Sequence, residues 1–186
     1  MPEIDEQRLV EQAQSEAQAF AALYDHYLTR IFKYVYRQVL DEAVAEDITA
    51  VTFEKALRHI RRYEVQGSSF GAWLYRIAHN ELMSHYRRQK FLLPLKWLGW
   101  TEGRSAETAV VQRDQQSYLH AALAQLSAKD RDIISLRYFE ELSSEEVAEI
   151  LGCSRQNVYL RLHRALGRLR QQLEVKGDWR LEIGDA

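Results

Sequence analysis

His79, Asn80 and Glu81 stand side by side within "GSSFGAWLYRIAHNELMSHYRRQKFLLPLKWLGW", Gly67 to Trp100. Histidine and glutamate together can hold a metal or pass a proton. A zinc-binding helix needs two histidines four apart with a glutamate between them. His79 and His85 are six apart, so that spacing fails. A nuclease-like or deaminase-like enzyme built on His79 and Glu81 would also want a second pair of metal ligands, and the sequence offers none. No nucleophile–base pair, P-loop or metal cluster is recognisable, so neither covalent catalysis nor a cofactor is expected. What recurs instead is aromatic beside cation. Phe70, Trp73, Leu74, Ile77 and Leu82 have core spacing, whereas Tyr75, Arg76, Asn80, Tyr86, Arg87 and Arg88 are hard to place wholly inside. Rings and cations together make a surface on which unstacked bases rest while their phosphates are neutralised.

A second constellation is sharper. Residues 142–173 read "LSSEEVAEILGCSRQNVYLRLHRALGRLRQQL". Ser143 and Glu146 form a capping box at a helix start. Val147, Ala148, Ile150 and Leu151 give that helix an apolar side. Gly152 can adopt the left-handed conformation that ends it, and Ser154 can cap the next helix. The second helix carries Val158, Leu162, Leu166, Leu169 and Leu173 on one stripe. Small Ala148, turn Gly152 and apolar Val158 fit a helix-turn-helix. Projection at about 100° per residue sets Gln156, Leu160, His163 and Arg164 opposite the stripe. Asn157 and Arg161 flank them, and Tyr159 lies nearer the core edge. Such a face suits the major groove: arginine for phosphates or guanine, Asn or Gln for adenine, Leu160 for a thymine methyl. The plainer alternative is an αα-hairpin with a solvated arginine face.

These surfaces need helices to carry them. Two prolines and eight glycines in 186 residues are too few for a turn-rich β fold, so an all-α chain is expected. Ser15 with Gln18 reads as a capping box, followed by Phe20, Leu23, Tyr24, Tyr27, Ile31, Tyr34 and Val35 at helical spacing. Asp41 can start the next helix. Its apolar face is Val44, Ile48, Val51 and Ile60, with Phe53 and Leu57 beside it, and Arg58, Arg61 and Arg62 close it. A loop from Tyr63 to Ser69 leads to a third helix, about Phe70 to Lys90. The domain division expected is 1–90, a linker at 91–112 broken by Pro94, Gly99 and Gly103, and 113–186. Each half can bury only a modest core, so a partner is expected to cover part of the surface.

The formal net charge of −2 argues against a non-specific nucleic-acid binder. The charge is segregated, however. Residues 1–19 hold Glu3, Asp5, Glu6, Glu11 and Glu16 against Arg8, while residues 154–173 hold five arginines and no acid. "FLLPLKWLGW" is too short and too broken to span a bilayer, and more hydrophobic than a free linker. It can pack on a domain, receive an inhibitory protein, or lie in a channel of a larger partner. The lone Cys153 excludes a disulfide within the chain and fits a cytoplasmic setting and a role as a small buried hydrophobe. The acidic N-terminus lacks the apolar stretch of a signal peptide.

Taken in order, "FAALYDHYLTRIFKYVYRQVLD", "AEDITAVTFEKALRHIRRY", "SSFGAWLYRIAHN", "LSAKDRDIISLRYFEELSSEEVAEILGCS" and "VYLRLHRALGRLRQQL" resemble the extracytoplasmic-function sigma factors, the small two-domain promoter-specificity subunits of bacterial RNA polymerase. The resemblance covers roughly 16–90 and 113–174. It implies that the first domain binds the polymerase clamp and melts and captures the minus-10 element, while the second reads the minus-35 element as duplex. The minus-10 surface would comprise Tyr63, Ser68, Ser69, Trp73, Arg76 and Asn80. A base flipped from the non-template strand would sit near the Tyr63–Ser69 loop with Asn80 at its back. Arg87, Arg88 and Lys90 would contact backbone. Tyr159, Leu160, His163 and Arg164 would read minus-35 bases. Arg155, Gln156, Asn157 and Arg161 would hold the phosphates. Glu46, Asp47 and Glu54 are the clamp candidates. The chain departs from the family pattern at Tyr159 and Leu160, at Ala50 and Val51 where a Gln-Glu pair is usual, and at Ser84 where aspartate is common. The resemblance implies core RNA polymerase and promoter DNA as partners, leaves room for an anti-sigma protein, and implies no enzyme. A compact free state, with the two domains packed together, would hide both DNA surfaces. Two other readings are a self-sufficient helix-turn-helix regulator with a ligand-sensing first domain, and a protein that only sequesters polymerase.

Overall fold

The computed structural model describes residues 6–64, 69–96 and 115–176, and every regular element among them is helical. Helix α1 spans Glu6–Ser15 and buries Val10 and Ala13. A 3-10 turn, Ala17–Ala19, leads into α2, Phe20–Val39. The capping box expected at Ser15 does not form. Ser15 ends α1, and its hydroxyl donates to the Gln12 carbonyl at 3.0 Å, while α2 begins behind Ala19 with no side-chain cap. A serine hydroxyl can satisfy a carbonyl at a helix end as readily as an N–H at a helix start.

Leu40 closes α2 in the left-handed region, φ 55°, and Asp41 then caps α3, Glu42–His59, by accepting from the Val44 N–H at 3.1 Å. Leu23, Tyr27, Ile31, Tyr34 and Val35 are buried as their spacing predicts. Tyr24 and Leu57 are not: they are 37% and 44% exposed, with Tyr24 edge-on to Phe53. Each sits at the margin of its apolar stripe, where the facing helix falls away.

Helix α4 spans Phe70–Lys96 and so passes the expected end at Lys90 and the expected breaker Pro94. Proline removes one N–H, and this close to the last helical residue that loss is a single bond to the residue-90 carbonyl. The rest of the expected linker, 97–112, lies outside the described residues. Helix α5, Gln115–Gln125, precedes α6, Ala128–Ile134, whose N-cap Ser127 accepts from the Asp130 N–H. A wider π-type turn, Ser135–Phe139, continues α6. Glu141 then turns the chain at φ 56° into α7, Ser144–Leu151, and α8, Arg155–Lys176.

Helices α2, α3 and α4 form the centre of the first half, with α1 laid across them. Helices α6, α7 and α8 form the centre of the second. The apolar residues of both halves run together in one cluster from Val10 to Leu169. Helix α7 lies on α4, and α6 with its π-turn lies on α2. Each modest core is therefore covered in part by the other half.

Candidate nucleic-acid interface

The helix-turn-helix forms as its residue types dictate. Ser143 Oγ accepts from the Glu146 N–H at 3.2 Å, and the Glu146 carboxylate accepts from the Ser143 N–H at 2.9 Å. Gly152 ends α7 at φ 60°, and Ser154 Oγ accepts from the Asn157 N–H at 3.3 Å. Val158 and Ala165 are wholly buried, and Leu169 nearly so. That pins one side of α8 and turns the other out. Arg155, Gln156, Asn157, Tyr159, Leu160, Arg161, His163 and Arg164 are all exposed. Tyr159 is 52% exposed, not at the core edge: it follows Val158 by about 100°, which carries it past the contact. Arg155 pairs with Glu145 at 2.5 Å and lies over the Tyr159 ring. Arg161 and Arg164, with Arg168 and Lys129, wall a cleft of about 390 Å³ whose opposite side is His79 and Met83 of α4.

The minus-10 candidates are spread over more elements. Ser68 lies outside the described residues. Ser69 caps α4, its hydroxyl accepting from the Ala72 N–H at 3.1 Å and donating to Glu146 of α7 at 2.5 Å. Burial pushes the Glu146 carboxyl up, but the hydrogen bonds from Ser69 and Ser143 outweigh it and hold it below its ordinary range. Tyr63 is buried against Phe70 and half-buried Trp73, with ring centroids 5.7 Å and 4.9 Å away. Trp73 and Asn80 wall a cleft of about 240 Å³ between α3 and α4, together with Ile77, Lys55, His59 and Glu81. Arg76, Asn80, Arg87 and Arg88 face solvent, and Lys90 continues the same helix. Glu46, Asp47 and Glu54 are exposed on α3, where Glu54 also pairs with Arg58 at 2.5 Å.

His79 and Glu81 do not work together. His79 Nδ1 is 3.0 Å from Asp132 of α6, whereas Glu81 pairs with Lys55 of α3 at 2.5 Å. Their partners lie on opposite sides of α4.

Between the halves runs a buried polar seam that the sequence reading missed. Glu140 accepts from the Arg37 guanidinium and the Tyr75 hydroxyl, and its backbone carbonyl accepts from Arg30 at 3.4 Å. Tyr34 donates to Asp132 at 2.7 Å. Arg131 and Tyr86 both donate to the Gln38 carbonyl, at 3.0 and 2.8 Å. Tyr75, expected to resist burial, is fully buried because Glu140 receives its hydroxyl. Burial raises the Glu140 carboxyl, with Tyr75, Arg37 and Arg30 opposing. The available signal was position: Tyr34 and Gln38 continue the Tyr27, Ile31, Val35 face, so polar groups there must be buried and paired. The packing does not hide both candidate surfaces, as a compact state was expected to do. It ties Ser69 to α7 and sets α4 opposite Arg161 and Arg164, yet the α8 row and Asn80 stay open.

Comparison with known proteins decides the family. Residues 23–91 match the model for sigma-70 region 2, and residues 116–169 the model for sigma-70 region 4. The chain belongs to the sigma-70 family. Among curated sigma factors it is 38% identical over 149 residues to the ECF RNA polymerase sigma factor BldN of Streptomyces coelicolor, covering 77% of this chain and 56% of BldN. It is 31% identical over 179 residues to the ECF RNA polymerase sigma factor SigW of Bacillus subtilis, covering 89% of this chain and 95% of SigW. It is thus an ECF sigma factor, of a class of transcription initiation factors. The sigma factor RpoE, solved in complex with the anti-sigma factor NepR from Bartonella quintana, superposes with a TM-score of 0.71 at 26% identity, over 85% of this chain and 98% of that one. CnrH, solved with the cytosolic domain of CnrY, shares the fold with a TM-score of 0.70 at 24% identity, over 92% of this chain and 99% of that one. Among the described residues, no helix of this sigma factor is long and apolar enough to cross a membrane.

Proposed function

We propose that this ECF sigma factor recruits core RNA polymerase to a two-part promoter in the cytoplasm, reading the minus-35 element as duplex with α8 and capturing unpaired minus-10 bases on α4 and the loop before it. The observation that carries the proposal is the α8 face. One side of that helix is locked into the core by Val158 and Ala165. The other offers Tyr159, Leu160, His163 and Arg164 to base edges, with Arg155, Gln156, Asn157 and Arg161 placed for phosphates. The division assigns 1–90 to the polymerase clamp and the minus-10 element, 91–112 to the connection, and 113–186 to the minus-35 element.

On the first half, Asn80 offers a polar edge at the wall of the α3–α4 cleft, and Trp73 offers a ring. Such a site holds an extruded base by stacking and hydrogen bonding. Arg76, Arg87 and Arg88 supply exposed charge on the same helix for the backbone. Glu46, Asp47 and Glu54 present acids from α3 to the clamp. An anti-sigma protein is a fitting further partner, since the similar sigma factor RpoE was captured with one. The test is transcription by core RNA polymerase on sheared genomic DNA, with and without this chain, and sequencing of RNA 5′ ends. Discrete new starts sharing two upstream motifs are expected. Core binding without starts would favour a sequestering role, and no core binding would favour a self-sufficient regulator.

A further inference from the structure

The cleft between α4 and α8 gathers more positive charge than its carboxylates neutralise. Arg161, Arg164 and Arg168 stand three and four apart on one face of α8, and Lys129 of α6 joins them in the wall. Two acids share the cleft, and both are engaged. Asp130 pairs with Arg168 at 2.6 Å and accepts from the Ser127 hydroxyl at 2.8 Å. Asp132 accepts from the Tyr34 hydroxyl at 2.7 Å and lies 3.0 Å from His79 Nδ1. Elsewhere on α8, Arg155 pairs with Glu145 and Arg170 with Glu174. Among the described residues, Lys129, Arg161 and Arg164 are the cations of this cleft with no carboxylate partner, and all three are exposed.

Like charges this close on a helix repel one another, and an anion that reaches several of them relieves the repulsion. Guanidinium and ammonium groups together suit phosphate oxygens. The other part of the wall is apolar. Met83 of α4 and Leu151 of α7 are half-buried there, and Ile133 of α6 is buried. The volume, about 390 Å³, falls within the range of small-ligand sites, roughly 300–1,000 Å³. A duplex is too broad for it. An inorganic ion would leave the Met83 and Leu151 surface without a partner. A ligand with a polyanionic end and a flat, weakly polar body matches both parts.

We propose that the α4–α8 cleft binds a nucleoside polyphosphate, with the phosphates on Lys129, Arg161 and Arg164 and the base against Met83 and Leu151. The wall comes from both halves, α4 from the first and α6, α7 and α8 from the second. A ligand held by both therefore stabilises the packed arrangement through its own binding. It also occupies Arg161 and Arg164, which are proposed to contact the minus-35 element. Ligand and duplex then oppose each other, each lowering the other's affinity by the same factor. That regulatory consequence rests on the reading of α8 as the minus-35 face; the binding itself does not.

Titration calorimetry of the complete chain with ATP, pyrophosphate and adenosine tests the site. ATP should bind at a single site, pyrophosphate about tenfold more weakly for want of the apolar contact, and adenosine not measurably. Lys129→Ala should weaken ATP binding about tenfold by removing one charged contact. It should leave minus-35 duplex binding unchanged, since Lys129 is not on α8. Met83→Glu sets a carboxylate opposite the cations and should abolish ATP binding. Met83→Gln, similar in size but uncharged, should keep most of it. Because Met83 lies on the first half, this pair also shows whether both halves make the site. Saturating ATP should raise the Kd for a minus-35 duplex in wild type, and much less in Lys129→Ala. The proposal is overturned if ATP does not bind, or if neither Lys129→Ala nor Met83→Glu alters its binding, which would put ATP on the open α8 row. Pyrophosphate binding as tightly as ATP overturns it too, leaving a site for inorganic phosphate. If ATP binds and the variants behave as expected, but the chain shows no preference among duplexes, the ligand site stands and the minus-35 reading falls.

Discussion

The two proposed nucleic-acid surfaces are built in opposite ways. The α8 face belongs to one helix, oriented by a local turn and by its own buried stripe. The proposed minus-10 surface draws on α3, Ser69 and α4, and α7 of the other half touches it through Glu146. A surface on one helix can be exact wherever that helix is placed. A surface made by several elements is only as exact as the contacts between them. Substitutions in the seam should therefore disturb the minus-10 side and leave minus-35 duplex binding alone.

The largest effect should come from Arg37→Ala. It leaves Glu140 buried without its guanidinium partner, and breaking one side of a buried pair costs about 3 kcal/mol. Urea unfolding should show this loss, and small-angle scattering should show the halves separating. Binding to a minus-35 duplex should persist. Lost duplex binding would mean that the two surfaces are not independent, and the comparison would break. Next is Arg164→Ala, expected to weaken minus-35 binding by about 1–3 kcal/mol if the guanidinium reads a base edge. Titration against duplexes altered at single positions checks it. Relaxed preference at one position marks a base contact, whereas uniform weakening marks a phosphate contact. Polymerase binding should not change, because Arg164 is far in the chain from the α3 acids.

The same contrast explains what the sequence revealed. The turn at Gly152, the caps at Ser143 and Ser154 and the buried Val158 are short-range features, each tied to residues within a few positions, so they could be read directly. The Asp41 cap was legible for the same reason. Ser15 misled because a serine satisfies either kind of helix end, and only the packing of α1 decides which. Pro94 misled because its effect depends on how near the helix end it falls. The seam was out of reach. Tyr34 and Asp132, Arg37 and Glu140, and Gln38 and Arg131 are separated by 98, 103 and 93 residues, so nothing local announces their pairing.

Asn80→Ala sharpens the comparison from the other side. Asn80 has an open position on the α3–α4 cleft and no load on the seam. Its loss should cost a base-edge contact of about 1 kcal/mol, seen as reduced permanganate reactivity at the start site with minus-35 binding intact. Normal reactivity would remove it from the site.

The smallest effect is the pH dependence of the seam, and its sign is fixed by Glu140. Burial raises that carboxyl above its ordinary value of 4.5, and the bonds from Tyr75 and the charges of Arg37 and Arg30 offset only part of the rise. A carboxyl whose pKa is higher in the folded chain binds its proton more tightly there. Its contribution to stability is then complete below the unfolded value and falls as pH climbs through the folded one. Glu140→Gln removes this titration but keeps an oxygen for Arg37 and Tyr75. The difference in thermal midpoint, wild type minus Glu140→Gln, should therefore be greatest below pH 4.5 and should decline toward neutrality. A difference that grows with pH would mean that Arg37 and Arg30 overcome burial, making the seam an ion pair that favours the charged carboxylate. Minus-35 duplex binding, measured over the same range, should be indifferent to Glu140 in either case, because the groups that bond Glu140 are Arg37, Tyr75 and Arg30, of α2 and α4.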